Sequence, residues 1–267
     1  MIGAMAGDII GSVYEGRRWD IKTTDFPLFD PHCRFTDDTV LTAATADAIL
    51  SGSPYGAKYK EWYRAYPDRG YGGHFRIWAA SEDPNPYWSL GNGSAMRVSP
   101  VAWAFGTLER VLEEAGKSAE VTHNHPEGIR GAQTVAAAVF LARTGTSREE
   151  IRAYVRETFG YRLERTLDEI RPTYRFDSSC PGSVPEAITA FLESEGFEDA
   201  VRKAISLGGD SDTIACMTGA IAEAFYGGVP AEIEAEVLKR LDAPVRGVLQ
   251  QFQQAFVVPG RRVPVPD

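Results

Sequence analysis

The sequence predicts an all-α protein folded as one compact domain, and three observations carry that reading. Apolar residues recur at helical spacing in segment after segment. No convincing run of alternating apolar and polar residues is present, so nothing calls for a sheet. No internal repeat of fixed period argues for a solenoid.

The elements follow in order. Ile2, Met5, Ile9, Ile10 and Val13 predict a helix over 2–13. Gly3, Gly7 and Gly11 line one face of it, four residues apart, which in a soluble chain signals close backbone packing against a second helix. Val40, Leu41, Ala44, Ala48 and Ile49 predict a helix over 37–50. Segment 52–90 is rich in Gly, Pro, Trp and Tyr and reads as irregular structure with short helices, a kind of segment that often serves a site. Its aromatic residues Tyr71, Trp78, Tyr87 and Trp88 have two readings, core packing or stacking on a ligand. Ile129, Ala132, Val135, Ala136, Val139 and Phe140 predict a helix over 128–143. Ser147-Arg148-Glu149-Glu150 spells a capping box at the head of 147–158. Ser183-Val184-Pro185-Glu186 gives the same spelling ahead of Ala187, Ile188, Phe191 and Leu192. Ile214, Met217, Ile221 and Phe225 predict a helix over 212–226, and 231–255 reads as helical with a break near Pro244. The domain so defined spans 1–256, and 257–267 reads as an extended Pro-rich tail.

Composition narrows the function. The chain has 267 residues, 43% hydrophobic and 24% charged, which suffices for a sizeable core. A net charge of −9 argues against an extended nucleic-acid surface, which would need many Lys and Arg. It leaves room for an anionic ligand held locally. Cys33, Cys180 and Cys216 are odd in number and lack C-x-x-C spacing, so a disulfide framework is not expected and a reducing cytoplasm fits. The N-terminal apolar stretch is broken by Asp8 and Glu15 and has no basic flank, so neither a signal peptide nor a membrane span is read there. A monomer is expected.

Two carboxylate clusters carry the chemistry. Thr36-Asp37-Asp38-Thr39 and Asp210-Ser211-Asp212-Thr213 each stand at the head of a helical period, the second after Gly208-Gly209. Helix capping accounts for either one alone, since Asp, Ser and Thr accept bonds from the free N–H groups of a first turn. Together the clusters point further. Each has two carboxylates and a hydroxyl where one cap suffices, and four carboxylates brought together repel one another unless a cation neutralises them. An all-oxygen set without thiolate favours Mg²⁺ or Mn²⁺ over Zn²⁺. Glu15, at the end of the first helix, is a fifth candidate, with a solvated acid as its other reading.

Gly91-Asn92-Gly93-Ser94-Ala95-Met96-Arg97 is a Gly-rich turn of the kind that lets backbone N–H groups approach a phosphate, though it matches no nucleotide-binding fingerprint. In Thr122-His123-Asn124-His125-Pro126-Glu127-Gly128 the two histidines, two apart before a proline, cannot share a helix face. Ligand hydrogen bonding and helix capping are both open to them.

Taken in order, these pieces resemble the ADP-ribosylglycohydrolases. The resemblance rests on Gly7-Asp8 to Tyr14-Glu15, Phe35 to Thr39, Gly91 to Arg97, Thr122-His123, Ser183-Val184-Pro185 and Gly208 to Ala215, and covers residues 3 to about 227. It implies a single orthogonal helical bundle with a binuclear Mg²⁺ or Mn²⁺ centre in a cleft. By motif, Thr36, Asp37, Asp38, Asp210, Asp212 and Thr213 are the implied metal ligands. Asn92, Gly93, Ser94, Ala95, Met96, His123, Asn124, His125 and Gly128 fall in the loops that would hold ADP-ribose. The implied reaction is hydrolysis of the N- or O-glycosidic bond between ADP-ribose and an acceptor. Its water would be activated by metal, with Glu15, Asp37, Asp38 or Asp212 as proton acceptor. Segment 52–90 and the chain after 228 match nothing in the family pattern, so the acceptor is not implied. Two alternatives stand beside this reading: phosphoester hydrolysis at a two-metal centre, and a non-catalytic relative that binds ADP-ribose.

Overall fold

A computed structural model of the chain describes residues 1–15 and 21–257. The expected tail beyond Val257 lies outside the described residues. The regular structure of the described residues is helical, without a sheet. The one β-type pairing among them is an isolated antiparallel bridge between Gly91 and Ser179. In chain order the helices are α1 (Ile2–Gly11), α2 (Asp37–Ser51), α3 (Tyr55–Ala65), α4 (Gly73–Ala80), α5 (Gly93–Met96), α6 (Ser99–Ala104), α7 (Leu108–Glu120) and α8 (Pro126–Arg143). There follow α9 (Arg148–Phe159), α10 (Leu167–Ile170), α11 (Cys180–Leu192), α12 (Phe197–Ile205), α13 (Ser211–Tyr226), α14 (Ala231–Arg240) and α15 (Ala243–Phe256).

The centre of the bundle is the pair α1 and α13. Every residue of α1 is buried, as is every residue of α13 from Ser211 to Ala224. Helices apolar on all sides belong inside a core. The glycine stripe explains their approach. A Cβ added at Gly7 would lie 2.0 Å from the Ala215 carbonyl oxygen, and one at Gly3 would lie 2.4 Å from that of Gly219. Close backbone packing, read from the spacing of three glycines, is what the fold contains.

Other elements sharpen or correct the sequence reading. Ser147 and Glu150 form the expected capping box on α9. The break near Pro244 falls at Leu241-Asp242, where the Asp242 side chain accepts from the Val245 N–H and starts α15. The second capping-box spelling misleads. α11 begins at Cys180 and its cap is Ser179, whose hydroxyl accepts from the Gly182 N–H, while Ser183 is buried inside the helix. Pro185 sits in the helix interior, where its missing N–H costs one bond but does not stop the helix. Segment 52–90 holds α3 and α4, joined by a stacked aromatic set. Tyr71 and Trp78 are buried in it, so core packing describes these two residues. All three cysteines are free and buried. Among the described residues no helix is long and apolar enough to cross a membrane.

Candidate active site

The site forms where the starts of α2 and α13 meet the side of α1. Asp8 of α1, fully buried, accepts from the Thr36 N–H at 3.0 Å, the Thr36 hydroxyl at 2.6 Å and the Thr39 N–H at 3.0 Å. Asp8 therefore serves the first turn of α2 from a different helix. That leaves the local acids of the turn free of capping duty. The Thr36 hydroxyl also accepts a long bond from the Asp38 N–H, 3.4 Å.

Asp210 occupies the N-cap position of α13 yet makes no side-chain cap bond. Its carboxylate instead accepts from the Asn92 side-chain amide at 2.7 Å. Gly208 and Gly209 precede it with φ of 69° and 70°, left-handed conformations that turn the chain into the helix. Capping, which spacing left open for each cluster, does not account for Asp210 or for Asp38. Asp38 Oδ2 accepts from the hydroxyls of Thr213 at 3.2 Å and Thr36 at 3.3 Å, while its Oδ1 is buried without a partner.

The carboxylates converge in two overlapping groups. One oxygen each from Asp8, Asp38 and Asp212 lie within 4.8 Å of one another, and the same holds for Glu15, Asp210 and Asp212. Asp212 belongs to both. Asp37 stands outside these groups, half-buried on the cleft wall with its N–H donating to the Arg69 carbonyl at 2.8 Å.

Electrostatics follow from this crowding. Burial, and then the neighbouring carboxylates, push the carboxyls of Asp37, Asp38 and Asp212 well above the usual range. Asp8 and Asp210 are also raised by burial, against the pull of their hydrogen bonds. Glu15 is raised by burial and by Asp210 and Asp8, with Arg34 opposing. Such a cluster invites neutralisation by a hard cation. The all-oxygen donors, their separation and the orphaned Asp38 Oδ1 fit a hard divalent cation.

A cleft of about 430 Å³ opens over the carboxylates, within the range of small-molecule sites. The Gly91 turn forms one wall. It is pinned by the Asn92 N–H to the Ser178 carbonyl at 2.8 Å and the Cys180 N–H to the Leu90 carbonyl at 2.9 Å. Of the two candidate ligand loops, Asn92, Gly93, Met96 and His123 line the cleft. Ser94, Ala95, Asn124, His125 and Gly128 stand behind it. The Ser94 hydroxyl donates to the Gly128 carbonyl at 2.8 Å, and Ala95 is fully buried. Asn124 Oδ1 accepts from the Trp88 N–H at 2.8 Å, and His125 caps α8 by accepting from the Glu127 N–H at 3.1 Å. At Gly128 an added Cβ would lie 2.7 Å from the Ser89 carbonyl oxygen, so the position serves close packing.

Three residues at the site escaped the sequence reading as candidates. Asp8 carried a usable signal, a lone carboxylate inside an apolar, glycine-striped helix. Arg97 carried a fainter one, a single cation between Met96 and Val98. Phe176, half exposed on the cleft rim, carried none, because it lies in an unpatterned loop.

Comparisons with known proteins identify the family. The family model for ADP-ribosylglycohydrolase matches residues 1–262. The chain is 28% identical to bovine ADP-ribosylhydrolase ARH3, over 85% of this chain and 84% of the relative. It is 27% identical to human ADP-ribosylhydrolase ARH3 over the same shares. It is 28% identical to ADP-ribosylarginine hydrolase Tri1 of Pseudomonas putida, over 87% of this chain and 71% of the relative. Among solved structures, an ADP-ribosylglycohydrolase-related protein complex superposes with a TM-score of 0.72, covering 95% of both chains at 23% identity, which speaks for the fold. With the match running from the first helix to the last, the chain belongs to the ADP-ribosylglycohydrolase family of hydrolases.

Proposed function

We propose that the chain is a Mg²⁺- or Mn²⁺-dependent hydrolase that cleaves the glycosidic bond between ADP-ribose and an acceptor. The observation that carries this reading is the pair of carboxylate groups joined through Asp212 at the floor of the cleft. Relatives named for ADP-ribosyl and ADP-ribosylarginine hydrolysis support the substrate class.

In this reading Asp38, Asp210 and Asp212, with the hydroxyls of Thr36 and Thr213, hold the ions, and Asp37 faces them from the wall. Bound dications supply Lewis acidity to the oxygens of water and substrate. The remaining work belongs to the chain. The Asn92 amide holds Asp210 by its Oδ2 oxygen. Asn92, Gly93, Met96 and His123 bound the space that this reading gives to the ADP-ribosyl group, beside the carboxylates. Glu15, at the mouth of the cleft, has a raised proton affinity that suits it to take the proton of the attacking water and deliver it to the departing acceptor. The bond from the anomeric carbon to the acceptor breaks as the bond to water oxygen forms, through an oxocarbenium-like transition state.

The test is product analysis with an ADP-ribosylated peptide, with and without Mg²⁺. Release of free ADP-ribose that a chelator stops supports the reading. AMP or phosphate as product replaces it with phosphoester hydrolysis, and tight ADP-ribose binding without turnover replaces it with a non-catalytic role.

A further inference from the structure

Lys22 joins two parts of the site that are far apart in sequence. Its Nζ donates to the Leu207 carbonyl at 2.6 Å and to the Tyr174 carbonyl at 3.0 Å. Leu207 stands just before Gly208-Gly209, the left-handed pair that turns the chain into Asp210. Tyr174 opens segment 174–178, which carries Phe176 and Ser178 to the cleft. A lysine that served only the end of α12 would need the first of these carbonyls alone. Lys22 is half-buried, and a bond donated by an ammonium is stronger than one between neutral groups.

The two parts also pack directly. A Cβ added at Gly209 would lie 3.0 Å from Tyr174 Cε1 and 3.1 Å from Phe176 Cα, so segment 174–178 lies on the turn itself. The Tyr174 hydroxyl donates to the Gly182 carbonyl at 2.8 Å and ties one end of the segment to α11. At the other end the Ser178 carbonyl accepts from the Asn92 N–H at 2.8 Å. The Asn92 side-chain amide in turn donates to Asp210 Oδ2 at 2.7 Å.

These contacts close a ring. It runs from Lys22 through Tyr174 and Ser178 to Asn92, across to Asp210, and back through Gly209, Gly208 and Leu207 to Lys22. Asp210 is held from two sides, by its own turn and by Asn92, and both supports lead to Lys22. Two successive glycines make that turn easy to deform, because glycine is the least restricted residue. A clamp on the carbonyl that precedes them limits the movement. Lys22 is not among the residues that line the cleft, so it acts through the backbone that it holds.

We propose that Lys22 is a positioning residue that clamps segment 174–178 onto the turn at 207–210, and so fixes the Asp210 carboxylate and the Asn92 wall of the cleft. The clamp follows from the contacts alone, and its consequence for cation binding rests on the metal reading of the carboxylates.

Amide hydrogen exchange of the metal-free full chain, read residue by residue by NMR, tests the clamp, and calorimetric titration with Mg²⁺ tests its consequence. Lys22→Met should speed exchange of the Asn92 and Cys180 amides, which bridge the Gly91 turn to 178–180, by about tenfold. It should also weaken Mg²⁺ binding by about fivefold, less than the loss of a group that touches a ligand directly, and Lys22→Arg should restore both. Lys203 gives the control. Its Nζ donates to the Glu193 carbonyl at 2.7 Å and to Asp199 at 2.7 Å, a lysine staple of similar build away from the cleft, and Lys203→Met should change neither reading. If Lys22→Met does not fold, Lys22→Gln, which keeps a donor and loses the charge, carries the same test. A folded Lys22 variant with unchanged exchange at Asn92 and Cys180 overturns the proposal. So does faster exchange with unchanged Mg²⁺ affinity, or an equal response in Lys203→Met. Faster exchange in a chain whose unmodified form binds no Mg²⁺ upholds the clamp and removes the metal reading instead.

Discussion

At the scale of single residues, the site depends on which carboxylates are occupied by the protein and which are not. Asp8 receives three donors and so acts on the fold of the α2 turn. Asp38 has an oxygen with no partner, and Asp212 is shared by both groups. Asp212→Asn should therefore lower turnover by roughly a hundredfold or more and weaken Mg²⁺ binding, measured by steady-state rates and calorimetry. Asn92→Ala frees Asp210 to swing and should lower Mg²⁺ affinity by about tenfold, in the range for residues that orient ligands. The sequence exposed most of this set, because consecutive Asp and Thr at two helix starts form a local pattern. It could not separate ligand from cap, since that choice depends on Asp8 reaching Thr36 across the bundle. The same limit applies to the ligand loops. Spacing puts His123 and His125 in one segment, and only packing shows that one lines the cleft and the other caps α8.

At the scale of elements, the approach of α1 to α13 brings Asp8 and Asp212 together. Gly7 is the tightest point of that approach. Gly7→Ala should destabilise the protein by about 3 kcal/mol, read from denaturant unfolding, because a Cβ there must displace backbone and not a flexible side chain. If any folded fraction persists, it should bind Mg²⁺ less well than the unmodified protein, since the helices that carry the carboxylates have moved apart. Most long helices with an apolar period were legible, as was the meaning of the glycine stripe, but α7, 13 residues long, was not named. Shorter ones such as α6 and α12 were not, because six to nine residues hold too few turns to show a period. The misplaced start of α11 has a similar cause. Ser183-Val184-Pro185-Glu186 is a plausible cap spelling, and the true cap at Ser179 is selected by the bridge between Gly91 and Ser179, a contact no local pattern reveals.

At the scale of the whole molecule, the site stores repulsion in the fold. Asp37, Asp38 and Asp212 have folded-state carboxyls raised above their unfolded value of 3.8, so the folded state binds more protons than the unfolded one. Stability from this source is full below that value and is lost as pH rises through the raised values. The metal-free protein should therefore melt at a lower temperature at about pH 8 than at about pH 5. Mg²⁺ binds the deprotonated carboxylates, so its stabilising effect should grow over the same interval. At a concentration of about a hundred times the dissociation constant, that effect should reach about 2.7 kcal/mol. Calorimetric melting curves with Mg²⁺ or chelator across pH check both signs. The reaction class was legible from the chain through the ordered motifs that resemble the ADP-ribosylglycohydrolases, of which the two carboxylate clusters are part. The acceptor was not legible, because the cleft rim around Phe176 is built from a loop without a pattern.

The central claim is that the Asp212-linked carboxylates serve cleavage of an ADP-ribosyl bond. Chromatographic identification of the products formed by the purified protein from an ADP-ribosylated peptide, with Mg²⁺ and then with chelator, tests it most directly. The expected result is free ADP-ribose and unmodified peptide with Mg²⁺, and neither with chelator or in Asp212→Asn. Chelator-insensitive release, or AMP as the product, would contradict it.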